Sequence, residues 1–329
     1  MANEGILVSG DPSVLLTEIN TELAQRPISP STVASQLCWQ RDGSIKTIGQ
    51  KVIYTLPFPG NKWEVQSIYE EIGGTLPELV KFSQTLQMWG PKPTLIPKLT
   101  EVTDLYGILE ENAQPLIADA QIEFERQLAE LIGTGTSIVT DYDGLSFFNA
   151  AHECNPNRPG LKQFSNYRTS FACNATNIAT ALDDLDAVPG HTGGLFLMPG
   201  QNYIFVSNGA QEKTALEAMN GEINAVKVAS GDTAGVGVSN AGLIGRAKVV
   251  KLTQLRDYGS AKYWGVARVA NAKHRPFVLS MAMPPTMYIE GLSIDEHSQT
   301  TRNVSKQGIK SVHGLGYLWP QLAELCVEP

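Results

Sequence analysis

Between residues 114 and 132 the apolar residues recur at Ile117, Ala120, Phe124, Leu128 and Leu131, the spacing that buries one face of an α-helix. Glu123, Glu125, Arg126 and Glu130 fall on the other faces. Pro115 would occupy the first turn, where a missing N–H costs little, and Gly133 and Gly135 mark the end. A helix of this span is roughly 28 Å long, enough to organise a domain. Upstream the period changes. KVIYTLP at 51–57 is a β-branched and aromatic strand closed by Pro57, Pro59 and Gly60. Gly73-Gly74 and then Pro91, Pro93 and Pro97 interrupt the chain beyond this strand, so 48–98 reads as a projecting, hairpin-like excursion. The first 45 residues, punctuated by Pro12, Pro27 and Pro30, read as an extended arm with one helix near 13–25. Downstream, short helices are expected over 177–187 and 210–219, and a glycine-rich loop over 230–245. Strands are expected over 193–200, 202–206, 247–255, 262–270, 276–283, 286–292 and 306–319. Together these make an α+β protein.

Composition narrows the class. The 329 residues suit two domains or one elaborated one, and a hydrophobic content of 42% supports a sizeable core. An acid excess of 33 against 25 basic residues gives a net charge of −8, which argues against a nucleic-acid reader with its basic face. Abundant apolar residues and sparse charge argue against disorder. No apolar run reaches the length of a membrane span, and MANEGILVSGDPS lacks the basic and long apolar regions of a signal peptide. Cys38, Cys154, Cys173 and Cys326 form no CxxC and suit free thiols in a reducing compartment. One feature is odd. Charged residues make up 18%, below the roughly 25% of an average soluble chain, although a lone monomer must turn its whole surface to water.

Each candidate for chemistry has a plainer reading beside it. His152 and Cys154 with Cys173 offer three metal ligands, but not in the paired groupings that zinc sites use. Nothing supplies the orienting third group that a Cys/His nucleophile needs. AGVGVSNAGLIG at 234–245 lacks both the GxGxxG order and the GK[ST] of a phosphate loop, and reads as a surface loop. Asp183, Asp184 and Asp186 offer carboxylates to a divalent cation; the commoner reading is the solvent face of a short helix. Asp141, Asp143 and Glu153 around Phe147-Phe148 offer paired carboxylates of a glycosidase-like site, against an ordinary acid-flanked turn. The five histidines do not cluster in the sequence. No catalytic, metal or cofactor site is expected. A long arm and a protruding excursion favour an assembly protein over an enzyme, because extended segments gain partners by lying on neighbours.

Several motifs, taken in order, carry a family resemblance over roughly 46–323. They are LPFPGNKWE (56–64), KLTEVTDLYGILEENAQPLIADAQIEFERQLAELI (98–132), the segment 174–177, GGLFLMPG (193–200), RPF (275–277) and GLGYLWPQLA (314–323). The sharpest is YDGLSFFNAAHE (142–153), where Tyr142-Asp143-Gly144, Phe147-Phe148 and His152 match a YDG-x-x-FF pattern with a following His. Trp319 belongs to the closing Gly-aromatic-Trp-Gln-Leu-Ala pattern, here with Pro320 inserted after the Trp. In this series the chain resembles the Mu-like major head subunit (gpT) group of tailed-phage major capsid proteins.

The resemblance implies the Hong Kong 97-type capsid fold. Its parts would be an N-terminal arm (1–47), an E-loop (48–98), a P-domain (99–192) with a spine helix (114–132) and return strands (286–315), an A-domain (193–285) and a C-terminal tail (316–329). It also implies a major capsid protein, not an enzyme. Copies would self-assemble as hexamers and pentamers of an icosahedral shell, enclosing double-stranded DNA without specific binding. No cofactor and no membrane are implied. Portal, scaffold and decoration proteins would be further partners, the location the virion, and the site of assembly the host cytoplasm. Phe58, Trp63, Ile68, Tyr69 and Trp89 would lie at the inter-subunit interface of the E-loop. An encapsulin-like compartment or a gene-transfer particle would share the fold. A hydrolase with an unrecognised site and a monomeric binding module are the readings from other classes.

Overall fold

The long helix runs Leu105–Thr134, about 45 Å, and begins well upstream of its expected start. The computed structural model describes residues 16–17, 19–21, 23, 32–42, 49, 51–58, 78–97, 105–196, 198–220, 243, 245–258, 262–290 and 304–329. Pro115 therefore lies inside the helix rather than in its first turn. It is exposed, so water can take the carbonyl that its missing N–H leaves unbonded.

Phe124, Leu128 and Ile132 on the buried face of this helix share a core with Phe277, Leu279 and Tyr317 of a central sheet. That sheet has the order Cys38–Asp42, Phe277–Glu290, Val304–Tyr317, Gln87–Trp89, and Thr94–Pro97 also pairs with Val304–Tyr317. The strands expected over 276–283 and 286–292 are one strand. Pro284 and Pro285 lie within it where the register with Val304–Tyr317 shifts, between Met283 and Thr286. A residue without an N–H cannot serve the ladder, so an irregularity is where a strand tolerates it.

A second sheet has the order Ala247–Lys251, Gln201–Val206, Tyr263–Val269, Ala323–Val327, Tyr167–Arg168. The first two strands are parallel, and the helix Gly209–Asn220 lies between them in sequence. The helix Ala175–Ala187, capped by the Asn174 side chain on the Asn177 N–H, packs on the same face. There Ile178, Leu182, Leu185, Ala215 and Met219 meet Ile204, Val206, Trp264 and Val266. From the opposite side, Phe205 and Leu325 join the core of the long helix.

The structure departs from the expected elements in four further places. Among the described residues of 193–200 no strand forms: Gly193 takes φ +80, and Leu195 makes an isolated bridge with Pro189. The strand expected over 247–255 ends at Lys251, and Leu255–Tyr258 is helical. Within the stretch expected as an arm, the helix Val33–Leu37 and the strand Cys38–Asp42 are built into the core, with Leu37 and Cys38 fully buried. Near the C-terminus, expected as a tail, Ala323–Val327 is an interior strand between two partners. The glycine-rich 230–245 lies outside the described residues apart from 243 and 245.

Lys51–Pro57 pairs antiparallel with Leu79–Thr85, and 59–77 between them lie outside the described residues. Alternation sends Tyr54, Leu56, Val80 and Phe82 inward. The hairpin lies directly on the strand Val304–Tyr317 at Gly314, where a Cβ would overlap the Thr85 carbonyl oxygen.

Candidate functional site

The YDG-x-x-FF motif and its His fold onto one another. Gly144 takes φ +77, a left-handed turn open to glycine, and the Asp143 carboxylate accepts the Leu145 N–H at 3.1 Å. Its other oxygen accepts the Glu153 N–H at 3.3 Å and faces His152 Nδ1 at 2.6 Å. His152 Nε2 lies 2.9 Å from the Phe147 carbonyl. Both ring nitrogens face oxygen atoms, a carboxylate on one side and a backbone carbonyl on the other. The His152 and Asp143 side chains are 0% and 2% exposed. Around the pair, the Tyr142 hydroxyl donates to the Cys154 carbonyl at 3.0 Å and accepts from Gln321 Nε2. Phe147 and Phe148 meet edge to face at 4.8 Å, and the Phe164 ring stacks on His152. Trp319 is fully buried, with Phe58, Phe82, Phe196 and His274 around its ring. The motif residues are thus a sealed polar knot and an aromatic hub. Their geometry positions chain segments and offers no reactive group to a substrate.

The other candidates are likewise engaged. His152 has no nitrogen left for a metal, and burial pushes the thiols of Cys38 and Cys173 up to about 12 and those of Cys154 and Cys326 upward. They stay thiols, not the thiolates that act as nucleophiles or ligands. Arg246 lies 2.8 Å from Asp183 and 3.3 Å from Asp186. Arg268 also pairs with Asp186, and Arg168 pairs with Asp184. These carboxylates are already neutralised. Asp141 is held by Ser83 and by Lys51 at 3.3 Å, while Glu153 accepts from Gly160 and Gln163; the three acids face different partners. Among the described residues no group of three His, Cys, Asp or Glu is arranged to hold a metal ion.

Of the residues expected at an interface between copies, Trp63, Ile68 and Tyr69 lie outside the described residues. Phe58 is 6% exposed, stacked on His191 at 5.0 Å and leaning on Trp319; packing within its own chain accounts for its burial. Trp89 is half-buried, stacked on His313 at 5.7 Å, and its buried indole N–H has no partner among the described residues. It borders a groove of about 310 Å³ between the long helix and the central sheet. Sequence reasoning overlooked the outer face of the hairpin, where Ile53 and Leu79 are 58% and 49% exposed. Alternation in KVIYTLP could have flagged Ile53 as the outward partner of Tyr54.

His313 at the base of this groove is buried. Gln127 Nε2 donates to Glu123 at 2.8 Å, so Gln127 Oε1 accepts from His313 Nε2 at 2.8 Å. His313 Nδ1 then accepts from Ser311 Oγ at 2.9 Å, which holds the ring neutral. Burial lowers its pKa from 6.5 to about 4, against a weaker pull from Glu123. The unfolded chain therefore binds a proton that the folded chain resists. This contribution to stability is intact above pH 6.5 and is lost as the pH falls toward 4, by about 3 kcal/mol in all. Urea unfolding from pH 7 to pH 4 should show that slope, and His313→Gln should flatten it. A variant with the wild-type slope would reject the assignment.

No protein-family model matches the chain, and no curated protein matches it. Solved structures do. The capsid of the cyanophage P-SCSP1u aligns over 89% of this chain and 87% of its own, with a TM-score of 0.53 and 13% identity. A structure from Mycobacterium phage Patience aligns over 100% and 94%, with a TM-score of 0.50 and 13% identity. The capsid of an empty GTA particle aligns over 89% and 88%, with a TM-score of 0.50 and 12% identity. The chain has the α+β, Hong Kong 97-type fold of phage capsid subunits.

Proposed function

We propose that the chain is a major capsid subunit of a tailed-phage-type particle, of the Mu-like major head group. In this reading copies self-assemble as hexamers and pentamers of an icosahedral shell around double-stranded DNA, without catalysis. The observation that carries it is the fold likeness along essentially the whole chain, 100% of it against 94% of the Mycobacterium phage Patience structure. Residues 1–47 would be the arm, anchored in its own subunit by 33–42, 48–98 the E-loop, 99–192 with 286–315 the P-domain, 193–285 the A-domain, and 316–329 a C-terminal tail held by the strand Ala323–Val327. The shell would belong to a virion assembled in the host cytoplasm, with portal, scaffold and decoration proteins as further partners. The low charge supports the reading, since depletion of Lys, Glu and Asp marks interface cores. Negative-stain microscopy of the purified chain should show capsomers or shells; a monodisperse monomer at high concentration would overturn it. The likeness to the GTA particle favours a second reading, a gene-transfer-particle shell, which the identity of the packaged DNA separates from a virion. An encapsulin-like shell would lack packaged DNA and a portal.

The interface would include Trp63, Ile68, Tyr69 and Trp89 together with the outer hairpin face. Ile53→Lys with Leu79→Lys should change the stability of the unassembled chain by less than about 1 kcal/mol, because both side chains are exposed. It should abolish shells by placing charge where a neighbour packs. Shells at wild-type yield would remove this face from the interface.

A further inference from the structure

The strand Phe277–Glu290 has Val304–Tyr317 along one edge, whereas Cys38–Asp42 covers its other edge only from Phe277 to Met281. Among the described residues no strand pairs the rest of that edge. One side chain does. Asn20 Nδ2 donates to the Met287 carbonyl at 3.0 Å, and the Met287 N–H donates to Asn20 Oδ1 at 2.7 Å. The amide thus copies the paired bonds of a neighbouring peptide unit. Residues 16, 17, 19–21 and 23 are helical, and Thr21 Oγ1 donates to the Thr17 carbonyl one turn back. Leu16, Ile19, Asn20 and Leu23 share one helix face by their i, i+3, i+4, i+7 spacing. Leu16, Ile19 and Leu23 pack with Ala113, Leu116, Ile117, Ala120, Met287 and Ile309. An Asn in the middle of an otherwise apolar stripe costs stability and specifies register, because any other register buries its amide unpaired.

We infer that the groove between the long helix and the open edge at Met287 is a receptor for the N-terminal segment of this chain. It can take that segment from a second copy, with Asn20 as the specificity determinant. The groove recognises a sequence that every copy carries. Residues 24–31 tether the segment to Thr32 with a reach of at most about 32 Å. The chain's own segment therefore competes at a high effective concentration, and an incoming copy gains access once that segment is weakened. This inference stands independently of the shell reading, since a chain that never assembles can still show it.

The probe is a fluorescent peptide of residues 13–25, titrated against the full chain by anisotropy. The wild-type peptide should bind the Asn20→Ala chain at least about tenfold more tightly than the wild-type chain, because the internal competitor has lost both bonds. The same peptide carrying N20A should bind neither chain measurably. Circular dichroism establishes that the Asn20→Ala chain is folded, and cleavage by a Glu-specific protease after Glu22 should be faster in it than in the wild type. Three results would each overturn the inference: no binding of the wild-type peptide to the Asn20→Ala chain, equal affinity for both chains, or an N20A peptide that binds as well as the wild type.

Discussion

Asp143→Ala should lower the unfolding free energy of the unassembled chain by about 3–5 kcal/mol, the cost of leaving three buried groups without their hydrogen-bond partner. The carboxylate serves three donors: His152 Nδ1 at 2.6 Å, the Leu145 N–H at 3.1 Å and the Glu153 N–H at 3.3 Å. Alanine leaves all three without an acceptor, and the imidazole is 0% exposed, so water cannot replace the lost bonds. The consequence reaches beyond the turn. His152 Nε2 and Asn166 Nδ2 both hold the Phe147 carbonyl, and Asn166 Nδ2 also reaches the Pro320 carbonyl. Loosening His152 therefore loosens the link between the motif and the last strand. Asp143→Asn keeps the shape and one acceptor oxygen, and should recover part of the loss. Urea midpoints at constant slope measure both. A loss below about 1 kcal/mol for Asp143→Ala would mean that the pair is not a stabilising element.

Trp319→Ala should cost a comparable amount, about 3–5 kcal/mol, through the cavity left by a fully buried aromatic. Its ring is where separate pieces of chain converge: Phe58 and Phe82 from the hairpin, Phe196 from the loop after Pro189, and His274. Its indole N–H donates to the Lys273 carbonyl at 3.3 Å. The hairpin has Phe58 and Phe82 on this hub, so its amides should lose exchange protection before those of the second sheet. Uniform loss of protection across both sheets would show that the hub does not dock the hairpin. These two variants contrast with Ile53→Lys and Leu79→Lys. The first pair is expected to destabilise the chain itself, the second to leave the chain folded and stop assembly.

Local periodicity made much of the secondary structure legible. The stripe from Ile117 to Leu131 lies in the long helix, KVIYTLP is a strand with the expected ends, and NYIFV is a core strand. Each follows from residues within a few positions of one another, where side-chain spacing already decides which face can be buried. Failures came where a local signal met a distant constraint. Pro284-Pro285 reads as the end of a strand, yet Val304–Tyr317 holds both halves in one ladder around the irregularity. Pro115 reads as a helix start, yet the helix continues N-terminal to it, where Ala113 packs against Met287 and Ile309.

The order of Tyr142, Asp143, Gly144, Phe147, Phe148 and His152 was visible in the sequence, and with it a family likeness, but the work of those residues was not. Asp143 and His152 are nine positions apart, near enough to suspect a contact, but burial turns that contact into a stabilising pair rather than a reactive one. Packing supplied by Phe164 and Trp319 seals it. The remaining decisive contacts link positions that no local pattern relates: Gln127 with His313, Arg168 with Glu324, Asn20 with Met287. A polar residue in an apolar stripe looks like a flaw until its partner is known, and the partner is chosen by which faces meet when the sheets and the long helix close. Composition is a property of the chain alone, so it could signal that an 18% charge fraction is low for a surface wholly in water. Where apolar side chains reach the surface, as Ile53 and Leu79 do beside Lys51 and Lys81 on the outward side of the hairpin, depends on the inward side having first packed on Trp319 and the central sheet.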